Sequence, residues 1–377
     1  MKKLVQINIQ TIKKILQNKG YKIHKNQKTF PKILVNFFYT SIVGTFFIGF
    51  FYVAPFILDF SKKNFSKNEI VLNNSNINFN KVLEGKEIEL NKNLKENDEV
   101  DFKDLFTDVF EFNINEQDTV RLSASTIDQL FKDENYNLKD IRKNKIVKPI
   151  NIDILPNEIK SIESIKKRKE LFIQIVLPLI LDENKKIRLE RKTLFAILNK
   201  NSNSDAERNW LKSKFKQYGV VNRDLTTLKI RMDEIPVSLA IAQAAKETGW
   251  GTSRFAQEGN ALFGQWTFSG EGIKPAGSDD GDTHKVMKFK ILKASVRAYQ
   301  RNLNTHKSYR KFRKIRAIQR DVLGNLNSLE LVEYLDKYAE TGKEYIKILK
   351  KIIEQNKLTD FDDAKILPGS QKEKNLI

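Results

Sequence analysis

Cysteine is absent from this chain of 377 residues, so neither a disulfide framework nor a thiolate metal site is available to it. Histidine is scarce. His24, His284 and His306 share no metal-ligand spacing, which argues against a zinc hydrolase, and no metal or other cofactor is expected. Acidic residues are missing from residues 1–32, where nine lysines give +9. Charge of either sign is missing from residues 33–58.

That uncharged run, ILVNFFYTSIVGTFFIGFFYVAPFIL, has 26 residues, and a bilayer needs about 20. It predicts a transmembrane helix. A cleaved signal would have a shorter apolar core, about 7–15 residues, and Pro55 after Val53-Ala54 disfavours processing. A buried core helix is the plainer alternative, against which the unbroken length speaks. The lysines ahead of the run place the N-terminus in the cytoplasm. The expectation is a single-pass anchor in the inner (cytoplasmic) membrane, with the remainder of the chain in the periplasm or cell-wall space.

The net charge of +20 is uneven, for residues 59–150 carry −3 and everything after them +14. A basic chain invites a nucleic-acid reading. The expected topology puts the second basic region on the wrong side of the membrane for that, so membrane rather than nucleic acid is the expected partner of the N-terminal part.

Residues 235–268, IPVSLAIAQAAKETGWGTSRFAQEGNALFGQWTF, organise the rest. Pro236 suits a first helical position, a run of Ala, Leu and Ile follows through Ala245, and Gly249 and Gly251 stop it. Helical steps back from Glu247 reach Ala244, Gln243 and Ala240, so the carboxylate shares a face with small residues at the C-terminal end. A carboxylate partly desolvated there, near the negative end of the helix dipole, is pushed toward its protonated form. A proton held near neutral pH is what a general acid needs. The alternative is a solvated glutamate at a helix end. Trp250 and Trp266 flank it, with Phe255, Phe263 and Phe268 nearby. Flat rings beside a buried acid suit a sugar cleft, although Phe255 and Phe263 could equally serve the core.

The string AQAAKETGWGTSRFA followed by NALFGQW resembles the signature of the Bax-type branch of the bacterial glucosaminidases, glycoside hydrolase family 73. The resemblance implies a lysozyme-like fold and hydrolysis of peptidoglycan glycan strands, with Glu247 as the catalytic acid. It also implies a cleft lined by Asn260, Leu262, Phe263 and Gly264, with Gln265, Trp266 and Trp250 from the same strings binding substrate. YAETGKEY, carrying Tyr338, Ala339 and Tyr345, matches the element that closes the cleft; by that match Tyr338 points toward the scissile sugar as a second catalytic residue, its phenol bonding a substrate acetamido group or positioning water, and Tyr345 binds substrate. A buried tyrosine with a satisfied hydroxyl is the alternative for Tyr338. RKELFIQIVLPLILDEN and SVRAYQRNLNTHKSYRKFR extend the resemblance over residues 118–353.

The implied architecture is mainly α: a lysozyme-like helical domain over residues 156–358 with a small β-hairpin lobe. Before it come a basic cytoplasmic segment (1–32), the anchor (33–58) and a partly ordered stalk (59–155), whose later part has enough apolar spacing to fold against the domain. A flexible tail (359–377) follows. Residues 159–198, broken by Pro178, predict one kinked helix or two, followed by helices near 206–218, 226–232 and 292–304. The Gly-rich acidic stretch after Phe268 predicts a hairpin or flexible lobe, with a strand at 284–289. It offers Glu271, Asp279, Asp280 and Asp282 as candidates for a second carboxylate, each of which could equally be part of a solvated turn. HKSYRKFRKIRAIQR holds seven Lys or Arg and no acid, and the usual fate of such a run is a solvated face.

The expected function is peptidoglycan hydrolysis at the β-1,4 bond after N-acetylglucosamine. A lytic transglycosylase on the same glycan and a non-catalytic wall-binding or morphogenesis protein are the alternatives.

Overall fold

A computed structural model describes residues 102–110, 119–267, 272–274 and 285–368, all within one compact unit spanning 96–377. The expected cytoplasmic segment, membrane anchor, upper stalk, acidic stretch and last residues of the tail lie outside the described residues. Among the described residues no helix is long and apolar enough to cross a membrane.

The architecture is mainly helical. Helices α1 (Phe102–Phe110), α2 (Ala124–Asp133) and α3 (Leu138–Asn144) precede the short strand β1 (Ile146–Val147). Then come α4 (Ile165–Leu198), α5 (Asp205–Gln217), α6 (Leu225–Arg231), α7 (Val237–Thr248) and α8 (Arg254–Gly259). Strands β2 (Trp266–Thr267), β3 (Gly272–Ile273) and β4 (Lys285–Met287) form an antiparallel sheet in the order β2-β4-β3. Helices α9 (Leu292–Thr305), α10 (Arg310–Leu323), α11 (Ser328–Leu331) and α12 (Lys343–Gln355) complete the domain, and β5 (Lys365–Ile366) pairs in parallel with β1.

Helix α7 is the hub. Every residue from Val237 to Ala245 is buried, because Ala and Ser alternate with Leu and Ile and let neighbours approach on all sides. It packs against α4, α12 and the 3-10 turn Leu358–Phe361. Its first turn is capped from far away: Asp362 accepts from the Ser238 backbone N–H at 2.8 Å and from Ser238 Oγ at 2.7 Å.

Pro178 does not break α4, which runs unbroken for 34 residues. A proline leaves the carbonyl four residues earlier without its helical partner. Here that carbonyl belongs to Gln174, and the Tyr136 hydroxyl donates to it at 3.0 Å while Gln174 Nε2 donates back to the Tyr136 carbonyl at 2.9 Å. The segment between α2 and α3 therefore repairs the proline defect. Tyr136→Phe removes the buried donor, and the variant is expected to lose about 1–3 kcal/mol of stability. Urea denaturation of the two proteins measures this, and an unchanged midpoint would count against the repair.

Two boundaries differ from the expectation. Residues 119–155, assigned to the stalk, form α2, α3 and β1 with Ile127, Phe131 and Val147 buried. Residues 359–366, assigned to the tail, bury Phe361 and carry Asp362 and β5. Arg142 joins the two, lying 4.4 Å over the Phe361 ring and donating to Asp360 at 2.8 Å. The docking of 119–155 follows the apolar spacing noted for the later stalk, whereas short strands far apart in sequence have no local signature, so the pairing of β1 with β5 and the docking of 359–366 are not announced.

The basic run also departs from the expected solvated face. In α10, Arg316 is wholly buried and donates to the backbone carbonyls of Ile230, Asp233 and Glu234. Arg313, also buried, donates to the carbonyls of Leu303 and His306. Arg320 holds Asp233 at 2.8 Å and Glu234 at 3.0 Å. Arginine's apolar stem and forked donors suit it to closing off carbonyls at the ends of neighbouring elements.

Candidate active site

Glu247 sits in the last turn of α7. The helix ends there because Gly249 adopts φ +56° and its N–H returns to the Ala245 carbonyl. Trp250 and Gly251 continue the left-handed path, and a Cβ on Gly251 would stand 3.0 Å from the Phe172 ring, so glycine is required for the chain to pass. The sharp exit leaves Glu247 half-buried at the end of an apolar helix.

Burial raises the Glu247 carboxyl above its ordinary value, opposed by a hydrogen bond from Tyr345 and by the charge of Lys246. The Tyr345 hydroxyl donates to Glu247 Oε1 at 2.9 Å. The other oxygen, Oε2, faces Gly264, where a Cβ would lie only 3.4 Å away. Gly264 has φ +60°, so the backbone turns past the carboxyl with no side chain in between.

A stack of phenols closes the site. The rings of Tyr338 and Tyr345 are parallel, 5.5 Å apart, and Tyr309 lies 6.0 Å from Tyr338. Burial and the nearby Glu247 charge push the hydroxyls of Tyr345 and Tyr338 far up, and that of Tyr309 to about 12, so all three stay neutral donors at physiological pH. The Tyr338 hydroxyl donates to the Phe263 carbonyl at 3.0 Å, which ties the α11–α12 connection to the backbone just before Gly264.

The structure thus gathers Glu247, Gly264, Tyr338 and Tyr345. It places other expected cleft residues differently. Phe263 is 1% exposed and stacks on Tyr299 at 3.9 Å, so its side chain is core and its carbonyl is what reaches the site. Asn260 is buried as the left-handed cap of α8, where its Nδ2 donates to the carbonyls of Phe289 and Lys290 and pins the end of the lobe. Gln265 is buried too. Trp250 lies edge-on to Phe172 with the Lys169 ammonium 4.8 Å over its ring, whereas Trp266, on β2, is 52% exposed. Glu271, Asp279, Asp280 and Asp282 lie outside the described residues.

The family model described as mannosyl-glycoprotein endo-beta-N-acetylglucosaminidase matches residues 226–358, a span that holds all four gathered residues. Protein bax of Escherichia coli (strain K12) is 35% identical over 195 residues, covering 50% of this chain and 70% of that protein. The chain belongs to the glucosaminidase family. No solved structure matches it. Its enzyme class is therefore that of the endo-β-N-acetylglucosaminidases, glycoside hydrolases acting on glycans.

Within this glucosaminidase two polar residues stand behind the site whose bonding roles the sequence does not show. Gln243 is wholly buried and bonded to both Tyr345 and Tyr299, whose own ring is wholly buried in α9. The signal for Gln243 was its position one helical turn before Glu247. Tyr299 reads as part of an apolar stripe, and only its hydroxyl sets it apart.

Proposed function

We propose that this glucosaminidase is a membrane-anchored peptidoglycan hydrolase that cleaves the β-1,4 bond after N-acetylglucosamine, with Glu247 as general acid. The observation that carries the reading is the half-buried Glu247 carboxyl, raised by burial, with one oxygen held by Tyr345 and the other beside the bare backbone of Gly264. Oε2 gives its proton to the glycosidic oxygen as the bond breaks, and the sugar leaves through an oxocarbenium-like state. Exposed Trp266 offers ring surface to the glycan, with the stacked Tyr338 and Tyr345 behind the carboxyl. A helical domain with a small three-stranded lobe suits a lysozyme-like cleft. Residues 33–58 hold the domain to the outer side of the cytoplasmic membrane.

The opposite face of the sugar is served either by a carboxylate of the acidic stretch or by the substrate's acetamido group. Mass spectrometry of fragments released from purified peptidoglycan tests the bond. Fragments reducing at N-acetylglucosamine are expected; anhydro-muramyl ends, or no fragments at all, would sink the proposal. Amide variants of Glu271, Asp279, Asp280 and Asp282 then separate the two routes. If one of them supplies the base or nucleophile, its variant alone loses about 10²-fold or more in turnover, whereas substrate assistance leaves all four near wild type.

A further inference from the structure

Four buried or half-buried groups form one hydrogen-bonded line into the site. The Tyr299 hydroxyl donates to Gln243 Oε1 at 2.7 Å, Gln243 Nε2 donates to the Tyr345 oxygen at 3.0 Å, and the Tyr345 hydroxyl donates to Glu247 Oε1 at 2.9 Å. Each link has only one sense that satisfies its neighbours. An amide nitrogen cannot accept, so Tyr345 must send its proton onward to Glu247. Were the Gln243 amide turned over, Nε2 would donate to Tyr299, and the Tyr299 proton, on a ring stacked against Phe263, would lose its acceptor in a buried place.

We infer that Tyr299 and Gln243 are positioning residues that fix the direction of this line, and so select Oε2 of Glu247, beside Gly264, as the oxygen that carries the transferable proton. This rests on the reading of Glu247 as the general acid. With Oε1 already accepting from Tyr345, a proton on the carboxyl occupies Oε2, the oxygen with open backbone before it. In the reversed sense Oε1 would donate to Tyr345 and the proton would be parked away from substrate. The line also offsets part of the burial that raises the carboxyl, because donation from Tyr345 favours the ionised form. The groups that face Glu247 are Tyr345 from α12, Tyr299 from α9, Tyr309 and Tyr338 from the connections before α10 and α12, and Lys246 from α7 itself. Asp362 caps the opposite end of α7 and binds Ser238.

Two variants test the direction. Tyr299→Phe removes the group that orients the amide, so Gln243 is free to turn and draw the Tyr345 proton to its own oxygen. Gln243→Glu places an acceptor there when ionised, and its charge also raises Glu247, so Tyr299→Phe is the variant that isolates the hydrogen bond. In both, Glu247 loses its donor and its titration midpoint moves up by about 0.5–1 pH unit, in line with the loss of one hydrogen bond to the charged form. The readout is ¹³C NMR titration of the Glu247 carboxyl in the full chain, assigned with Glu247→Gln, alongside the pH profile of kcat/KM on purified peptidoglycan. A merely structural role would lower stability or rate at every pH without moving the midpoint, and an unmoved midpoint in the variants that fold overturns the inference. A midpoint that moves while the alkaline limb of the rate profile stays in place upholds the line and removes Glu247 as the general acid.

Discussion

Glu247→Gln is expected to lower turnover of purified peptidoglycan by about 10²–10⁴-fold while leaving the domain at least as stable as the wild type at neutral pH. The loss follows from chemistry, since the amide keeps the shape and the acceptor that Tyr345 uses but has no acidic proton to transfer, and general acid catalysis contributes about that factor. The stability follows from linkage. A carboxyl whose folded-state value is raised binds its proton more tightly folded than unfolded, so its contribution is favourable below the unfolded value and is lost as pH rises through the folded one. Once it ionises, Glu247 is therefore a burden that glutamine does not carry. Fragment release followed by mass spectrometry gives the first quantity and thermal unfolding the second. Normal hydrolysis by the variant would end the assignment. Loss of turnover accompanied by a large drop in unfolding temperature would mean that the glutamate holds the fold rather than the substrate.

Such a pairing of lost activity with undiminished stability would mark a functional strain. This part of the chain is legible in the sequence because its signals are local. Pro236, the alanine-rich run and the two glycines each announce a local choice, and together they force Glu247 into a helix end short of solvent. The rings of Tyr338 and Tyr345 were legible only through family resemblance, because nothing in their spacing says that the two stack 5.5 Å apart. What escaped the sequence is what depends on distant partners. The Tyr136 hydroxyl meets the carbonyl orphaned by Pro178, and Asp362 caps a helix that starts more than a hundred residues before it. Both look locally like ordinary polar residues in ordinary loops. Asn260 and Phe263 sit in a string that resembles a cleft motif, yet their side chains brace the lobe and the core. A motif fixes the path of a backbone as readily as it supplies side chains to a substrate.

The basic run gives the sharpest case of a sequence signal with the opposite structural meaning, and Asp233→Asn tests it. Asp233 is buried and faces Arg320 at 2.8 Å and Arg316 at 3.7 Å, while its own carbonyl accepts from Asn304 at 2.9 Å and from Arg316 at 3.2 Å. Burial lowers the Arg316 guanidinium to about 10, so it keeps its charge at neutral pH. Removing the Asp233 charge leaves that cation inside the protein with carbonyls alone, a change that costs about 3–5 kcal/mol when a buried pair is broken. The amide is nearly isosteric, so cavity formation adds little. Urea denaturation is expected to show that loss, whereas Lys311→Ala, on the exposed side of the same helix, changes stability by no more than about 0.5 kcal/mol. If the run served as a solvated surface for an acidic partner, the order would reverse: the lysine variant would lose binding to peptidoglycan and the Asp233 variant would fold as well as the wild type. The buried guanidinium of Arg316, wedged between the end of α6 and the start of α7, predicts the first outcome, and with it that α10 holds in place the very helix whose far end carries Glu247.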